Sequence, residues 1–408
     1  MVSGARRGRE SAGQAVADVK IPITLRRMQR SSISRFLPAV LLVLGSVASA
    51  DTVNVELAEL GRALFFDSRL SAGRNLSCAS CHDPARAFSE SRDNGVGRAA
   101  SLGDDGRSLG DRNAPALTYA MLTPSFGRNA DGHYQGGLFV DGRAANLAEQ
   151  AREPILNRAE MALPIAALGG RLAEDPAYAD TFRALLGPAA IASPDRALHS
   201  VATAIAAYES TGEFAPFDSR YDRYLRGEVE LTREEETGRV LFFSELINCN
   251  RCHLVDRREH RDNEVFTNYR YHNIGVPANL RLREVNGRGS GHADPGLAGN
   301  PAVNDAAQAG RFRVPSLRNV AVTSPYMHNG VFEKLETAIL FYNRFLLGNT
   351  ASLVNPETGQ PWRPAEVPDT VDVELLRDGQ PLTVERVAYL VAFLETLTDA
   401  RYEHLLER

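Results

Sequence analysis

Two boxes of cysteine and histidine are the residues of this 408-residue chain whose types and spacing could do redox chemistry. Both follow the pattern C-x-x-C-H, in which two thiols can add to the vinyl groups of a haem while the adjacent histidine binds its iron. His82 and His253 are therefore the expected fifth ligands of two covalently attached haems. The boxes consist of Cys78, Cys81 and His82, and of Cys249, Cys252 and His253.

These boxes end two copies of a longer repeat. Gly-Arg-x-Leu-Phe-Phe begins both copies, which run from Gly61 to His82 and from Gly238 to His253. The chain has four cysteines and all of them lie in the boxes, so none is left for a disulfide elsewhere. Disulfides or zinc within the boxes are the alternatives, and zinc is disfavoured because each box offers only three ligands. The repeat predicts two related modules with one haem each.

The first fifty residues have the composition of a leader. Several arginines precede the apolar run Phe36–Val47, which is followed by Ala48-Ser49-Ala50. This order is typical of a secretory signal peptide, so we expect residues 1–50 to be removed by cleavage after Ala50. The protein is then periplasmic or otherwise exported. No later segment has the roughly 20 apolar residues of a transmembrane helix, and no membrane anchor is predicted.

The charge of the chain bears on its partners. The formal net charge is −5, and removal of the arginine-rich leader makes the mature chain more acidic. An acidic surface does not favour nucleic acid, and no nucleic-acid partner is expected. It could steer a small basic protein toward one face, although a dispersed solvated surface explains the same composition.

Helical spacing and capping residues organise the chain around the boxes. Residues 83–132 and 279–311 are rich in turn-forming residues and are expected to be irregular. The polar stretch 212–230 predicts a domain boundary near Arg226. Three helices are predicted by range, over Leu57 to Phe65, Asn146 to Ile155 and Phe332 to Phe345. Two more are predicted from their first residues, Ser193-Pro194 and the capping box of Thr232 and Glu235. The last predicted helix carries an apolar stripe from Val387 to Leu397.

The sixth position of each iron decides between an electron carrier and a catalyst. A carrier fills it with Met or His, whereas a peroxidase leaves one iron open. No candidate is required by spacing alone, but Met327 and His328 in Tyr-Met-His-Asn-Gly are the best ones. The other histidines in polar surroundings are expected to be surface or hydrogen-bonded residues: His133, His260, His272, His292 and His404.

Blocks around the boxes extend the pattern to nearly the whole mature chain. In this order, they resemble the bacterial di-haem cytochrome c peroxidase and MauG superfamily. The resemblance implies an all-α fold of two cytochrome c-like domains, residues 51–226 and 227–408, each around one haem and with long irregular loops. The blocks are Arg112-Asn113-Ala114-Pro115, Phe139-Val140-Asp141-Gly142-Arg143, Asn273 to Pro277, Val314 to Asn319, and Phe341-Tyr342-Asn343-Arg344.

By this resemblance, the haem on His82 is the peroxidatic one and its distal pocket contains a Gln, a Pro and an acidic residue. Gln150, Pro154 and Glu160 have the family spacing. Glu160 would move a peroxide proton from the inner to the outer oxygen, and Gln150 would hydrogen-bond the bound oxygen species. Without the resemblance, a solvated carboxylate at a helix end is the favoured interpretation of Glu160.

Two positions resemble the MauG branch rather than the peroxidases. Many peroxidases have a histidine ligand sixteen residues after the proximal one, where this chain has Arg98. They also place a Met at the second haem where this chain has Tyr342. A tyrosinate ligand favours the ferric and higher states of iron. The alternatives are that Tyr342 is a core residue of a helix and that Met327 is the ligand.

Two further family features concern the contact between the modules. The family commonly has a tryptophan between the haems where this chain has Val140, so an aromatic relay is in doubt. The family also has a calcium ion, which would be bound here by the Asn113 side chain and the carbonyls of Thr323 and Pro325. Oxygen ligands suit calcium, although ordinary loop chemistry explains the same residues.

The expected function is that of an exported di-haem oxidoreductase acting on hydrogen peroxide. The peroxide would be reduced to water at the haem of His82 with electrons from a small cytochrome c or cupredoxin, passed through the haem of His253. One alternative is a MauG-like enzyme that oxidises residues of a protein partner, and another is a non-enzymatic electron carrier. The oligomeric state is left open, with a homodimer among the possibilities.

Overall fold

The computed structural model of the chain describes residues 50–254, 263–346 and 353–406. The predicted leader, apart from Ala50, lies outside these residues, as does His260. Within the described ranges, no helix combines the length and apolar character needed to cross a membrane.

Helices joined by long irregular segments make up the described part of the chain. The prediction of a predominantly helical fold is confirmed there, and the few strands form short two-stranded antiparallel ribbons. The strands are β1 (Gly127–Arg128), β2 (Tyr134–Gln135), β3 (Tyr271–His272), β4 (Phe312–Arg313), β5 (Val354–Asn355) and β6 (Gln360–Pro361), paired β1 with β2, β3 with β4 and β5 with β6. The α-helices are α1 (Ala50–Phe65), α2 (Cys78–Cys81), α3 (Leu147–Leu156), α4 (Ile165–Ala173), α5 (Pro176–Leu186), α6 (Pro194–Glu209), α7 (Arg220–Leu225), α8 (Arg233–Phe243), α9 (Leu280–Val285), α10 (Leu335–Leu340), α11 (Val373–Leu376) and α12 (Val384–Glu395).

The first core forms where α1, α3 and α4 pack on α6. Gly61 lies at the crossing of α1 and α6, where a Cβ atom would come within 1.8 Å of the Ala204 carbonyl oxygen. Only glycine allows this close approach of the two backbones. The same approach brings the apolar face of α1, with Leu64 and Phe65 fully buried, onto the closing helix of the module.

The second core repeats this arrangement with α8 and α12. A Cβ atom on Gly238 would come within 1.8 Å of the Tyr389 carbonyl oxygen, and it would also collide with Phe393. The glycine that begins each copy of the sequence repeat is therefore the contact residue of a helix pair. The repeat thus encodes the helix crossing as well as the haem box.

A phenylalanine in a left-handed turn follows each box. Phe88 has φ 55° and Phe266 has φ 54°, a conformation that is uncommon for residues other than glycine. Each ring is completely buried among the aromatic side chains of its own core. Phe88 stacks on Phe214 with ring centroids 4.3 Å apart, and Phe266 lies 5.8 Å from Phe242.

Most of the predicted helices are present. Ser193 caps α6 with Pro194 as its first residue, and Thr232 and Glu235 form the capping box of α8, as predicted. The helix predicted over Phe332 to Phe345 begins later, because α10 starts at Leu335 and continues into a 3-10 helix over Phe341–Phe345. The expectation of irregular structure over 279–311 is wrong at its start, where Asn279 caps α9.

The change from one core to the other occurs shortly before the predicted boundary. Phe214 belongs to the first core, and Tyr221 belongs to the second. Tyr221 lies on α7, a helix that was not predicted in the polar stretch between the modules. The division into domains at Arg226 stays a prediction, as does the assignment of one haem to each.

Candidate active site

The first box is built on α2 and the turn after it. The Ser77 backbone N–H donates to Ser80 Oγ at 2.9 Å at the start of this short helix, and His82 follows its end. His82 Nδ1 lies 3.0 Å from the Phe88 carbonyl oxygen. Donation of the Nδ1 proton to this carbonyl leaves Nε2 free to bind a metal, which is the usual outer-shell arrangement of a ligating histidine.

The second box has the same arrangement. His253 Nδ1 lies 3.2 Å from the carbonyl oxygen of Phe266. Burial lowers the pKa of His253 to about 4 and also lowers the pKa of His82, so both imidazoles are neutral, as iron ligation requires. None of the four box cysteines, all of which lie in the described part of the chain, forms a disulfide. Free thiols beside an oriented, neutral imidazole fit a covalently attached haem at each box.

Glu160 lies close to the first box, beyond the C-terminal end of α3. Burial raises the pKa of the Cys81 thiol, and the charges of Glu90 and, to a smaller extent, Glu160 add to this shift, whereas Arg92 opposes it. Asn157 Nδ2 donates to Glu160 Oε1 at 2.8 Å. Burial raises the pKa of Glu160, whereas the bond from Asn157 and the charge of Arg143 oppose this shift. The carboxyl group is half-buried and oriented, properties that suit proton transfer better than a freely solvated side chain.

Gln150 and Pro154 lie on α3, one turn apart. Pro154 has no backbone N–H, so the Gln150 carbonyl lacks its helical donor at the i+4 position. After the helix, the Met161 N–H donates to the Pro154 carbonyl at 3.1 Å and turns the chain back. Gln150, Pro154 and Glu160 therefore belong to one helix and its C-terminal turn, as the family spacing implies.

A cavity of about 420 Å³ contains the second box. Tyr342, on the 3-10 helix after α10, lines it together with Met327 and His253. Burial raises the pKa of Tyr342, and the nearby Cys252 and Cys249 add to this shift. The tyrosine therefore faces the box, but Met327 lines the same cavity and both remain candidates for the sixth ligand.

Two histidines in this cavity have protein partners. His328 stacks on Phe312 with ring centroids 3.6 Å apart, and its Nε2 lies 3.7 Å from Glu366. His272 Nδ1 lies 3.2 Å from Asp372 Oδ2. Burial lowers the pKa of His272, but the contacts with Asp372 and Cys252 outweigh burial and raise this pKa to about 9. The expectation that His272 is hydrogen-bonded is confirmed.

The proposed calcium ligands lie where the modules meet. Asn113, Thr323 and Pro325 all line the cavity, and the Asn113 N–H donates to the His328 carbonyl at 2.7 Å. Arg98 is also in this region, because its carbonyl accepts from Asn113 Nδ2 at 3.1 Å and its Nη2 donates to Ser324 Oγ at 3.1 Å. A guanidinium beside the Thr323 to Pro325 turn disfavours a second cation. Calcium at this position stays a prediction.

Val140 lies on the wall of the same cavity. Its carbonyl accepts from the Arg313 N–H at 2.8 Å, which ties the first module to β4. The side chain offers no aromatic ring at this point. The residues that orient the box histidines, Phe88 and Phe266, were not predicted. Their sequence signal is weak, because the two phenylalanines follow their box histidines at different spacings, 6 and 13 residues.

Comparisons with known proteins agree with this geometry. Residues 55–230 match the family model of the di-haem cytochrome c peroxidases. The methylamine utilization protein MauG of Paracoccus denitrificans is 52% identical over 364 residues, which cover 89% of this chain and 94% of that protein. The cytochrome c551 peroxidase of Pseudomonas aeruginosa is 30% identical over 298 residues, covering 72% of this chain and 74% of that one.

Solved structures are similar over most of the chain. The crystal structure of the diheme peroxidase BthA from Burkholderia thailandensis superimposes with a TM-score of 0.74 at 35% identity, covering 86% of this chain and 88% of that one. A MauG-like protein associated with microbial copper homeostasis gives a TM-score of 0.61 at 29% identity, covering 85% and 92% of the two chains.

Proposed function

The chain belongs to the family of di-haem cytochrome c peroxidases and MauG proteins, and on this basis we propose that it is an exported enzyme that reacts with hydrogen peroxide at the haem of His82. We further propose that its oxidising equivalents are used, as in the MauG branch, to oxidise residues of a protein partner. His253 would hold a second haem, with which these oxidising equivalents would be shared.

The haems, when bound, supply the iron that takes up peroxide oxygen and stores oxidising equivalents. The chain supplies the proton transfer. Glu160 accepts the proton from the inner peroxide oxygen and returns it to the outer one, so that water leaves. Asn157 holds the carboxyl group in place through its bond to Oε1. Gln150 has no side-chain hydrogen bond within the described part of the chain and is available to the bound oxygen.

The position of Tyr342 is the observation that favours the MauG-type reaction. It faces the second box in the cavity that contains His253, and its neighbours there include Cys252. A phenolate oxygen stabilises the higher states of iron relative to a thioether, which makes the second haem a poor acceptor for a donor protein but a good store of oxidising equivalents. The 52% identity to MauG supports this function alongside the peroxidase turnover that the sequence predicts.

Peroxide turnover with reduced cytochrome c tests this proposal on the ferric holoprotein. We expect peroxide to change the haem absorption spectrum at once while oxidation of cytochrome c stays slow. Glu160→Gln should suppress the spectral change. Vigorous steady-state turnover with cytochrome c would exclude the MauG-type function, and two low-spin haems without any response to peroxide would exclude both enzymatic functions in favour of an electron carrier.

Peroxidase turnover with a small cytochrome c or cupredoxin is the second candidate. Val140 favours it, because a chain without an aromatic residue at this position is less suited to sharing charge between the haems. The similarity to the diheme peroxidase BthA supports it as well. The same turnover assay distinguishes the two functions.

A further inference from the structure

Tyr119 lies between the two modules and is bonded to both. Its backbone N–H donates to the Phe214 carbonyl at 2.8 Å in the first core. Its hydroxyl donates to Asp399 Oδ1 at 2.5 Å, close to the end of the second module. The Tyr119 side chain is 2% exposed, and Asp399 is completely buried. The acceptor of the Tyr119 hydroxyl is therefore a buried carboxyl group.

Asn319 holds the carboxylate of Asp399 in position. Asn319 Nδ2 donates to Asp399 Oδ2 at 2.8 Å, and Asn319 Oδ1 accepts from the Asp399 N–H at 2.9 Å. No salt bridge to Asp399 occurs among the residues that the structure describes. Burial raises the pKa of Asp399, which makes its carboxylate a stronger base than an ordinary aspartate.

Contacts extend from Tyr119 toward both box histidines. On the first side, the ring of Phe214 stacks on Phe88, whose carbonyl oxygen lies 3.0 Å from His82 Nδ1. The path from Tyr119 to the first fifth ligand therefore runs through one backbone hydrogen bond, one pair of stacked rings and one imidazole contact.

The contacts on the second side run through a cation. The Arg318 guanidinium lies 5.3 Å from the Tyr119 ring centroid and 5.4 Å from that of Phe266. The carbonyl oxygen of Phe266 lies 3.2 Å from His253 Nδ1. The charge of Arg318 is balanced by a buried bidentate pair with Asp222.

We propose that Tyr119 is a redox-active residue that transfers one electron to the peroxide-oxidised di-haem centre while its phenolic proton moves to Asp399. The O–H bond of Tyr119 breaks, and an O–H bond forms at Asp399 Oδ1. One of the two oxidising equivalents from hydrogen peroxide is consumed, and a neutral tyrosyl radical and a neutral carboxylic acid remain. Return of an electron from the partner draws the proton back. This role rests on the proposed peroxide reaction and provides an aromatic relay that Val140 does not.

Burial raises the pKa of the Tyr119 hydroxyl, so the phenol is not ionised before oxidation and its electron and proton leave together. Tyr271 is a buried tyrosine whose hydroxyl group has no carboxylate as its acceptor. Its hydroxyl donates to the Gly136 carbonyl at 2.6 Å, and a backbone carbonyl cannot retain a transferred proton. Tyr271 is therefore a matched control of similar burial and hydrogen bonding.

The test is EPR spectroscopy of the holoprotein, frozen after addition of a single equivalent of hydrogen peroxide, with and without ring-deuterated tyrosine. We expect a tyrosine radical in the native protein and in Tyr271→Phe, and its loss in both Tyr119→Phe and Asp399→Asn. The amide introduced by Asp399→Asn can still accept the Tyr119 hydrogen bond but cannot take a proton, so this variant remains informative if Tyr119→Phe fails to fold. Unchanged ferric spectra and melting temperatures confirm that each variant is intact.

Three outcomes would overturn the inference. The first is a tyrosine radical that persists in Asp399→Asn or Tyr119→Phe. The second is a haem spectrum that responds to peroxide without any tyrosine radical in the native protein, which leaves the proposed function standing. The third is a haem spectrum that does not respond to peroxide at all, which removes the proposed function and the Tyr119 role together.

Discussion

The two haem boxes have nearly the same local framework but face different segments of the chain. On the box side, a glycine at a helix crossing and a left-handed phenylalanine recur in both modules. On the opposite side, the first box has the turn after α3 with Glu160, whereas the second has the 3-10 helix with Tyr342. The common framework orients both box histidines, so the proposed difference in reactivity between the haems would come from the segments that differ.

The largest expected effect comes from removing the acid-base group of the first site. Glu160→Gln keeps the size of the side chain but cannot accept a proton, so the rate of the peroxide reaction should fall by about 10²–10⁴-fold. Stopped-flow absorption of the haem measures this rate. Glu59→Gln, which changes an exposed carboxylate on α1, is the control and should stay near the native rate. A similar loss in both variants would contradict the role of Glu160.

A pair of variants identifies the sixth ligand of the second haem. If Tyr342 is the ligand, Tyr342→Phe should abolish the ferric EPR signal of the tyrosine-ligated second haem. Met327→Leu should leave the EPR spectrum unchanged. Met327 lines the same cavity and therefore controls for packing changes there. The reverse pattern would assign Met327 and make the two modules less different than proposed.

The glycine pair tests how similar the frameworks are. Gly61→Ala and Gly238→Ala each place a Cβ atom against a backbone carbonyl, so each should reduce the free energy of unfolding by about 1–3 kcal/mol or more. Thermal and denaturant unfolding of the holoproteins measure this loss. Gly170→Ala, on α4 at a position with no atom near the added Cβ, is the control for replacing a helical glycine by alanine. A large loss at only one crossing would show that the modules differ in their helix packing.

The pH dependence of the peroxide reaction reports on the first site alone. Glu160 must be ionised to accept the first proton, and burial raises its pKa, so the rate should fall as the pH drops through a value above the usual glutamate range. Asn157→Ala removes a bond that stabilises the ionised form, and it should move this limb to higher pH. A pH profile of the second-order rate constant measures the shift. An unchanged limb would mean that another group limits the reaction.

The smallest expected effect concerns the predicted calcium ion between the modules. Added calcium should raise the melting temperature of the native holoprotein, because a ligand that binds only the folded state stabilises it. Asn113→Ala should remove this increase, and Arg98→Gln should enlarge it because a neighbouring cation is lost. A melting temperature that is independent of calcium in all three proteins would exclude the ion.

Local chemistry explains which parts of the fold could be predicted. Ser193-Pro194 and the Thr232 and Glu235 pair satisfy helix N-termini within a few residues, so sequence is enough to locate them. Asp175-Pro176 carries the same signal at the start of α5. The short helices α7 and α9 were not predictable in this way, because helices of this length depend on tertiary packing for their stability.

The site was predictable where the chemistry is contiguous in sequence. The boxes could be identified directly, whereas the family spacing was needed for Gln150, Pro154 and Glu160. The carbonyls that orient His82 and His253 depend on left-handed turns at Phe88 and Phe266, for which phenylalanine has no intrinsic preference. Tyr119 and Asp399 are 280 residues apart, and no local pattern connects them.

The burial of the box thiols also constrains the biogenesis of the protein. Burial raises the pKa of Cys249 to about 12 and also raises that of Cys78, so in the closed chain neither thiol has the ionised form that reacts readily. The burial of the thiols therefore predicts that thioether formation precedes closure of each module. The first module closes with α6 in the middle of the chain, whereas the second closes only with α12. If the chain is exported and carries its haems as proposed, the first box would receive its haem before the last helix of the second module has emerged.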